Sequence, residues 1–238
     1  MLSKEITQSF LAILSEELIA AMGCTEPIAL AYAAAKGREI LGADPEYITA
    51  HCSGNIIKNV RCVRIPNSLG MTGIEAACSL GALAGDAGRI MEVLENVTRE
   101  DVQKTLRFLT QHRCRVEYLD SPIPLHFIIE IFGAQDQVSV EVKHHHTNIT
   151  AIRKNGLMIY ENTDCGEIVQ PAERSHLNIE NIYAFANEVD IDRIRPFALR
   201  QIECNMAISQ RGMSGDYGLG IGKAILKACT NGSSEFMN

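Results

Sequence analysis

Apolar residues recur every three or four positions over 4–21 (Ile6, Phe10, Leu11, Ile13, Leu14, Leu18, Ile19), a spacing that predicts an amphipathic helix. The corner Met22-Gly23-Cys24-Thr25-Glu26-Pro27 interrupts it, and the run from Ile28 to Gly37 is apolar on nearly every side and rich in alanine. A helix of that kind is buried, and its small side chains let neighbours approach closely. Gly42 and Pro45 end it. Tyr47 to Cys52 reads as a short strand leading into Ser53-Gly54-Asn55, with Ile56 to Val63 either extended or forming one helical turn. Pro66 to Gly73 is a run of turn-forming residues that opens a second alanine-rich helix, Ile74 to Leu83, closed by Gly85-Asp86. A short helical stretch follows around Met91 to Leu94. Thr98 with Asp101 resembles a capping box, with Asp where Glu or Gln is usual, and starts an amphipathic helix to about His112.

From Cys114 to Tyr160 the period changes to two. Val116 and Tyr118, Phe127 to Phe132, Val138 to Val142 and Ile149 to Ile152 read as strands, separated by turns at Pro122, Gly133–Asp136 and Asn155-Gly156. Asn-Gly is a strong hairpin signal. Helical patterns return over Ile182–Val189, Ile194–Ser209 and Leu219–Cys229. Helices, then a mainly antiparallel sheet, then helices predict an α+β fold with sheet and helices in separate layers. The predicted division is a helical part over 1–113, the sheet over 114–175, helices over 176–229 packing back on the first part, and a patternless, disordered tail over 230–238.

Composition narrows the partners more than the fold. A chain of 238 residues with 46% hydrophobic residues can bury a sizeable core. A net charge of −7 without a Lys or Arg run argues against nucleic acid and anionic membrane. The first residues are too polar for a signal peptide, and no apolar run approaches the ~20 residues that span a bilayer. Eight cysteines without a CxxC pair are then expected to be reduced thiols of a cytoplasmic protein rather than a disulfide framework.

Three clusters can carry chemistry. Thr25 can cap the second helix, with Pro27 near its first position, which leaves Cys24 beside a helix N-terminus whose partial positive charge favours a thiolate. Such a thiol can be a nucleophile, a metal ligand or an inert core residue. In Ser53-Gly54-Asn55-Ile56-Ile57-Lys58-Asn59, glycine allows close backbone approach, Lys58 can pair with a carboxylate or act as a base, and Asn55 and Asn59 can orient an amino acid. The bland alternative is a polar turn with a solvated lysine. His144-His145-His146 lies on or beside a strand, where alternation sends His145 to one face and its neighbours to the other, a poor chelate for zinc. One of these histidines can instead serve as acid or base in a pocket. Gly218-Leu219-Gly220-Ile221-Gly222 is neither GxGxxG nor a P-loop.

These motifs, in order, resemble bacterial and archaeal L-cysteine desulfidases, which are related to the alpha chain of iron–sulfur L-serine dehydratases. The resemblance is carried by Gly23 to Pro27, Ser53 to Asn59, Pro66-Asn67-Ser68 with Gly70 to Gly73, Leu80 to Gly85, His146 to Ile149 and Leu219 to Lys223. It implies a lyase of amino-acid catabolism that eliminates hydrogen sulfide from L-cysteine, giving pyruvate and ammonia through an aminoacrylate, with a [4Fe–4S] cluster as cofactor. It implies Cys24 as a cluster ligand, Lys58 or His146 as the base, and Ser53, Asn55, Asn59, Thr147 and Asn148 as substrate-binding residues. Family chains continue into a second half that supplies further cysteines, and Leu69 stands where they usually carry glycine. The resemblance therefore implies an N-terminal portion that needs a C-terminal half or partner subunit to complete the cluster. The two alanine-rich helices are then expected to be partly uncovered and to promote self-association. The alternatives are an L-serine dehydratase-type lyase, or a non-catalytic module binding a small amino acid or a partner subunit.

Overall fold

A computed structural model describes residues 2–162 and 172–232, with side chains to residue 229. The fold is α+β, and the chain divides into two compact units, Ala21–Gln170 and Met1–Ala20 with Pro171–Asn238. No helix among the described residues is long and apolar enough to cross a membrane.

In the larger unit the helices α2 (Thr25–Leu41), α3 (Gly54–Val60), α4 (Ile74–Ala84) and α5 (Arg99–Thr110) accompany a six-stranded sheet. Its strands are β1 (Tyr47–Cys52), β2 (Cys114–Tyr118), β3 (His126–Phe132), β4 (Gln137–Lys143), β5 (Ile149–Lys154) and β6 (Leu157–Glu161). Their order is β2-β1-β3-β4-β5-β6; β1 and β2 are parallel and every other pair is antiparallel. Alternation works as expected. Ile48, Ala50 and Cys52, Phe127, Ile129 and Ile131, and Val138, Val140 and Val142 turn to one face and are fully buried. The β5–β6 hairpin turns at Asn155 (φ 53°) and Gly156 (φ 81°), the two positive φ angles of a type I′ turn.

The alanine-rich helices are not left uncovered. Ile28 to Ala31, Ala33 to Ala35, and Ala77, Cys78, Leu80 and Ala82 have no exposed surface. α2 packs on α4 and on β3 and β4. At Gly81 a Cβ would sit 2.2 Å from the Ala31 carbonyl oxygen and 2.5 Å from its Cα, so the Leu80–Gly85 motif is the close crossing point of two helix backbones. Helices and sheet share one core, and residues 21–170 hold together in place of the expected division at residue 113.

Other expectations are corrected locally. Of the two alternatives for residues 56–63 the helical one holds, and it is longer than one turn: Gly54–Val60 is an α-helix of seven residues. The stretch near residue 91 is a kinked 3-10 segment, Ala87–Glu92. The capping box at Thr98 forms with aspartate, because the Asp101 carboxylate still reaches the Thr98 N–H at 2.9 Å.

The second unit consists of α1 (Lys4–Glu17), α6 (Ile179–Glu188), α7 (Ile191–Ser214) and α8 (Ile221–Gly232). The first helix ends at Glu17, short of the predicted residue 21, since Leu18 leaves helical geometry just before the chain passes into the other unit. α1 contacts α6 and α7, and α7 contacts α8. Phe10 meets the Phe185 ring edge-on at 5.2 Å, and the Ser9 hydroxyl donates to the Glu173 carbonyl. Helix α8 continues to Gly232, and the rest of the expected tail over 230–238 lies outside the described residues.

Candidate functional site

The corner before α2 differs from its predicted form by one residue. Cys24, not Thr25, is the N-cap, and neither its side chain nor any other caps the helix there. Pro27 falls within the first turn, where a missing N–H removes no helical bond. Gly23 lies against Pro66, so the corner sits beside the Pro66–Gly73 loop. That loop is closed by buried Ser68, which donates to the Ile65 carbonyl at 2.7 Å, and by Asn67, which donates to the Leu94 carbonyl at 3.0 Å.

Glu26, in the first turn of α2, is the group on which the site converges. Cys24 Sγ donates to Glu26 Oε2 at 3.2 Å, and Thr25 Oγ1 donates to the same oxygen at 3.3 Å. Asn59 Nδ2, on α3, donates to Glu26 Oε1 at 3.2 Å. His146, in the loop between β4 and β5, lies within electrostatic reach of the same carboxylate. Half-burial opposes the Glu26 charge, but hydrogen bonds from Cys24, its own backbone and Asn59, together with His146, outweigh it and hold its carboxyl below the ordinary value. Carboxylate at a helix N-terminus is also favoured by the helix dipole.

The same carboxylate reverses the expectation for Cys24. Its thiol is pushed up by partial burial first and then by the bond to, and charge of, Glu26, which together outweigh the backbone N–H groups. Cys24 rests as a thiol donating to Glu26, not as a thiolate held by the helix end. Its proton has an acceptor in place.

His146 is half-buried, and its Nε2 is buried without a hydrogen-bond partner among the described residues. Desolvation lowers its pKa, with Glu26 opposing and His145 assisting, so the ring is a neutral imidazole. The histidine run does not lie on a strand. It forms a turn in which His144 takes φ 66°, so strand alternation does not apply and His146 turns inward while His144 and His145 are exposed.

The remaining candidates separate. Ser53 is buried, with Oγ donating to the Pro124 carbonyl at 2.6 Å and its N–H to the His126 carbonyl, so it anchors the start of α3. A Cβ on Gly54 would meet only ordinary contact with Tyr118, and no close backbone approach requires glycine there. Asn55 and Lys58 are exposed on α3; Asn55 lies three residues before Lys58 and four before Asn59, the spacing of neighbours on one side of a helix. Asn148 closes its own loop by donating to the Lys143 carbonyl at 3.0 Å. Thr147 and Asn148 line a cleft of about 490 Å³ with Tyr32, Lys36, Tyr160 and Asn162.

A [4Fe–4S] cluster takes four cysteine thiolates. Among the described residues no group of three or more His, Cys, Asp or Glu is placed to hold a metal ion. Burial pushes the Cys52 and Cys114 thiols up to about 12 and Cys78 in the same direction, which makes these three inert core residues. Cys165 lies outside the described residues. The donor set at the corner fits such a group as the source of one thiolate, Cys24, and not as a complete set.

Glu26 belongs to the Gly23–Pro27 motif, but nothing in its sequence spacing points to Asn59 or His146. No protein-family model matches the chain, and no solved structure matches it. It is similar to proteins named UPF0597 protein: 43% identical over 221 residues to one from Fusobacterium nucleatum, 41% over 216 residues to one from Lachnoclostridium phytofermentans, and 36% over 238 residues to one from Actinobacillus pleuropneumoniae. These alignments cover 92%, 90% and 98% of this chain but 52%, 51% and 54% of the relatives, so the chain spans about half the length of the curated relatives it matches.

Proposed function

We propose that the chain is the N-terminal portion of a cytoplasmic, iron–sulfur-dependent L-cysteine desulfidase, with its site built around Glu26. The observation that carries this reading is the convergence of Cys24, Asn59 and His146 on one carboxylate, each from a different motif of the resemblance. The cluster, when bound, supplies Lewis acidity to the departing sulfur. Cys24 contributes one thiolate, and the rest of the ligand set comes from outside the described residues.

This chain's own residues supply binding and proton transfer. Asn55 and Lys58 present an amide and a cation on the exposed side of α3, suited to the carboxylate of an amino acid. Of the two candidate bases, His146 is favoured: a neutral imidazole with an unpartnered Nε2 accepts a proton, whereas Lys58 stands exposed in water. His146 takes the α-proton, the Cα–H pair forms the Cα–Cβ double bond, and the Cβ–S bond breaks to release hydrosulfide. The aminoacrylate tautomerises and hydrolyses to pyruvate and ammonia. The Glu26 carboxylate, within electrostatic reach of His146, stabilises the imidazolium formed in this step.

The test is anaerobic reconstitution with iron and sulfide, on the chain alone and combined with the remaining half of the Fusobacterium nucleatum relative. Sulfide and pyruvate release from L-cysteine are followed, with L-serine as competing substrate. Turnover in the combined protein, absent from the chain alone and lost in His146→Gln, is expected. Preferential turnover of L-serine replaces the reading with a dehydratase. Thermal stabilisation by either amino acid without turnover, unchanged in Cys24→Ala, replaces it with a binding module.

A further inference from the structure

The unit formed by α1 and α6–α8 has almost no core of its own. Among its described side chains only Ser9 and Phe10 are buried, and α6 and α7 bury none. Yet α7 carries a regular apolar stripe, Ile191, Leu199, Ile202 and Met206, all on one side at helical spacing and each about half exposed or more. Ile179 on α6 and Ile225 on α8 are also exposed, at 84% and 58%. A 24-residue helix is about 36 Å long, enough for a stripe on the scale of a stable interface when flanking helices contribute. Apolar surface of this extent marks an interaction site.

We propose that this helical face is the docking surface for the half of the UPF0597-type chain that these 238 residues do not span. Two observations choose that occupant over a second copy. The relatives are nearly twice as long as the matched region. The described residues 2–20 and 172–232 belong to this unit, so polypeptide joined beyond them is tethered to it. Tethering raises the effective concentration to the millimolar range, which a second copy in dilute solution does not reach. The inference rests on the reading that the chain is one portion of a longer protein, but not on the reaction assigned to it.

The test combines the purified 238-residue chain with the remaining half of the Fusobacterium nucleatum relative, and uses that relative's own two halves as positive control. Sedimentation measures association and hydrogen exchange maps it. The expected result is a one-to-one complex that slows exchange in α6–α8, weakened roughly tenfold or more by Ile202→Asp or Met206→Asp and unaffected by Leu157→Asp, which is more exposed than either but lies on β6. Because Ile202 and Met206 are exposed, these variants keep the fold, which unchanged circular dichroism verifies. A complex indifferent to both stripe variants overturns the proposal. So does absence of a complex when the control halves associate, whether the chain stays monomeric or forms a homodimer through the stripe. Activity is not read, so a different substrate leaves this outcome intact.

Discussion

Leu30 and Ile202 are both aliphatic side chains in the middle of a helix, in α2 and α7. Leu30 has no exposed surface, while Ile202 is 56% exposed. The difference lies in what each helix meets. α2 packs against both α4 and the sheet, and its backbone at Ala31 comes within contact range of Gly81 on α4. Within its unit α7 contacts α1 and α8, and none of its described side chains is buried. The same propensity for helix therefore supports a dense core in one region and an exposed apolar surface in the other.

The sharpest way to break this comparison is at Gly81. An added methyl would collide with the Ala31 backbone, which cannot rotate away as a side chain can. Gly81→Ala is expected to force α2 and α4 apart and cost about 3 kcal/mol, at the upper end for overpacking, measured by urea unfolding. Leu30→Ala should cost about as much, roughly 2–5 kcal/mol, by opening a cavity. Ile202→Ala should change the stability of the isolated chain by less than about 0.5 kcal/mol. A comparable loss at Ile202 would mean that α7 is already covered, and would remove the contrast between the two units.

The fold was largely legible because the period-two and period-3.6 patterns were long and regular, as in Val138 to Val142 and Ile28 to Gly37. An amphipathic pattern shows that an apolar face exists, not which surface meets it. That is why uncovered surface was expected on the alanine-rich helices and lies instead on α6–α8. The site was legible only in part. Sequence marks Cys24, Asn59 and His146 but not Glu26, because the groups that act on this carboxylate come from α2, α3 and the β4–β5 loop. Ser53 looks like a ligand residue in sequence because a buried anchoring hydroxyl and a substrate-binding hydroxyl have the same chemistry.

Within the packed unit, Glu26 gives the next largest effect. Glu26→Gln removes the charge and weakens the acceptor that hold the Cys24 thiol up, so alkylation of Cys24 at neutral pH should accelerate severalfold, read by peptide mass spectrometry. An unchanged rate would mean that the Cys24–Glu26 bond is not formed in solution. The same pair of groups sets a pH dependence. Glu26 has a folded pKa below its unfolded value, so its contribution is present above the unfolded value and lost as pH falls through the folded one. His146 is also depressed, and below the ordinary histidine value of about 6.5 the unfolded chain takes up the proton first. Both groups make the unit less stable on acidification. His146→Gln should shrink the fall in Tm between about pH 7 and 5, and Glu26→Gln should shrink the fall at lower pH. The helical unit has no such buried pair among its described groups, so amide exchange in α7 should change little over the first of these ranges.

The smallest expected effect is stabilising. Leu69 holds φ 57° in the loop beside the corner, 67% exposed, so its side chain gains little from burial while its backbone occupies the left-handed region. For a residue with a Cβ this region costs about 1–2 kcal/mol, and glycine avoids that cost but surrenders part of the gain as extra freedom in the unfolded chain. Leu69→Gly is therefore expected to raise stability by about 0.5–1 kcal/mol, seen as a higher urea midpoint at unchanged slope. The loop is anchored independently by Ser68 and Asn67, so the substitution should leave the Glu26 site and Cys24 alkylation as they are. A loss of stability would show that Leu69 is covered by something in solution, and would extend to the packed unit the property that now distinguishes α7.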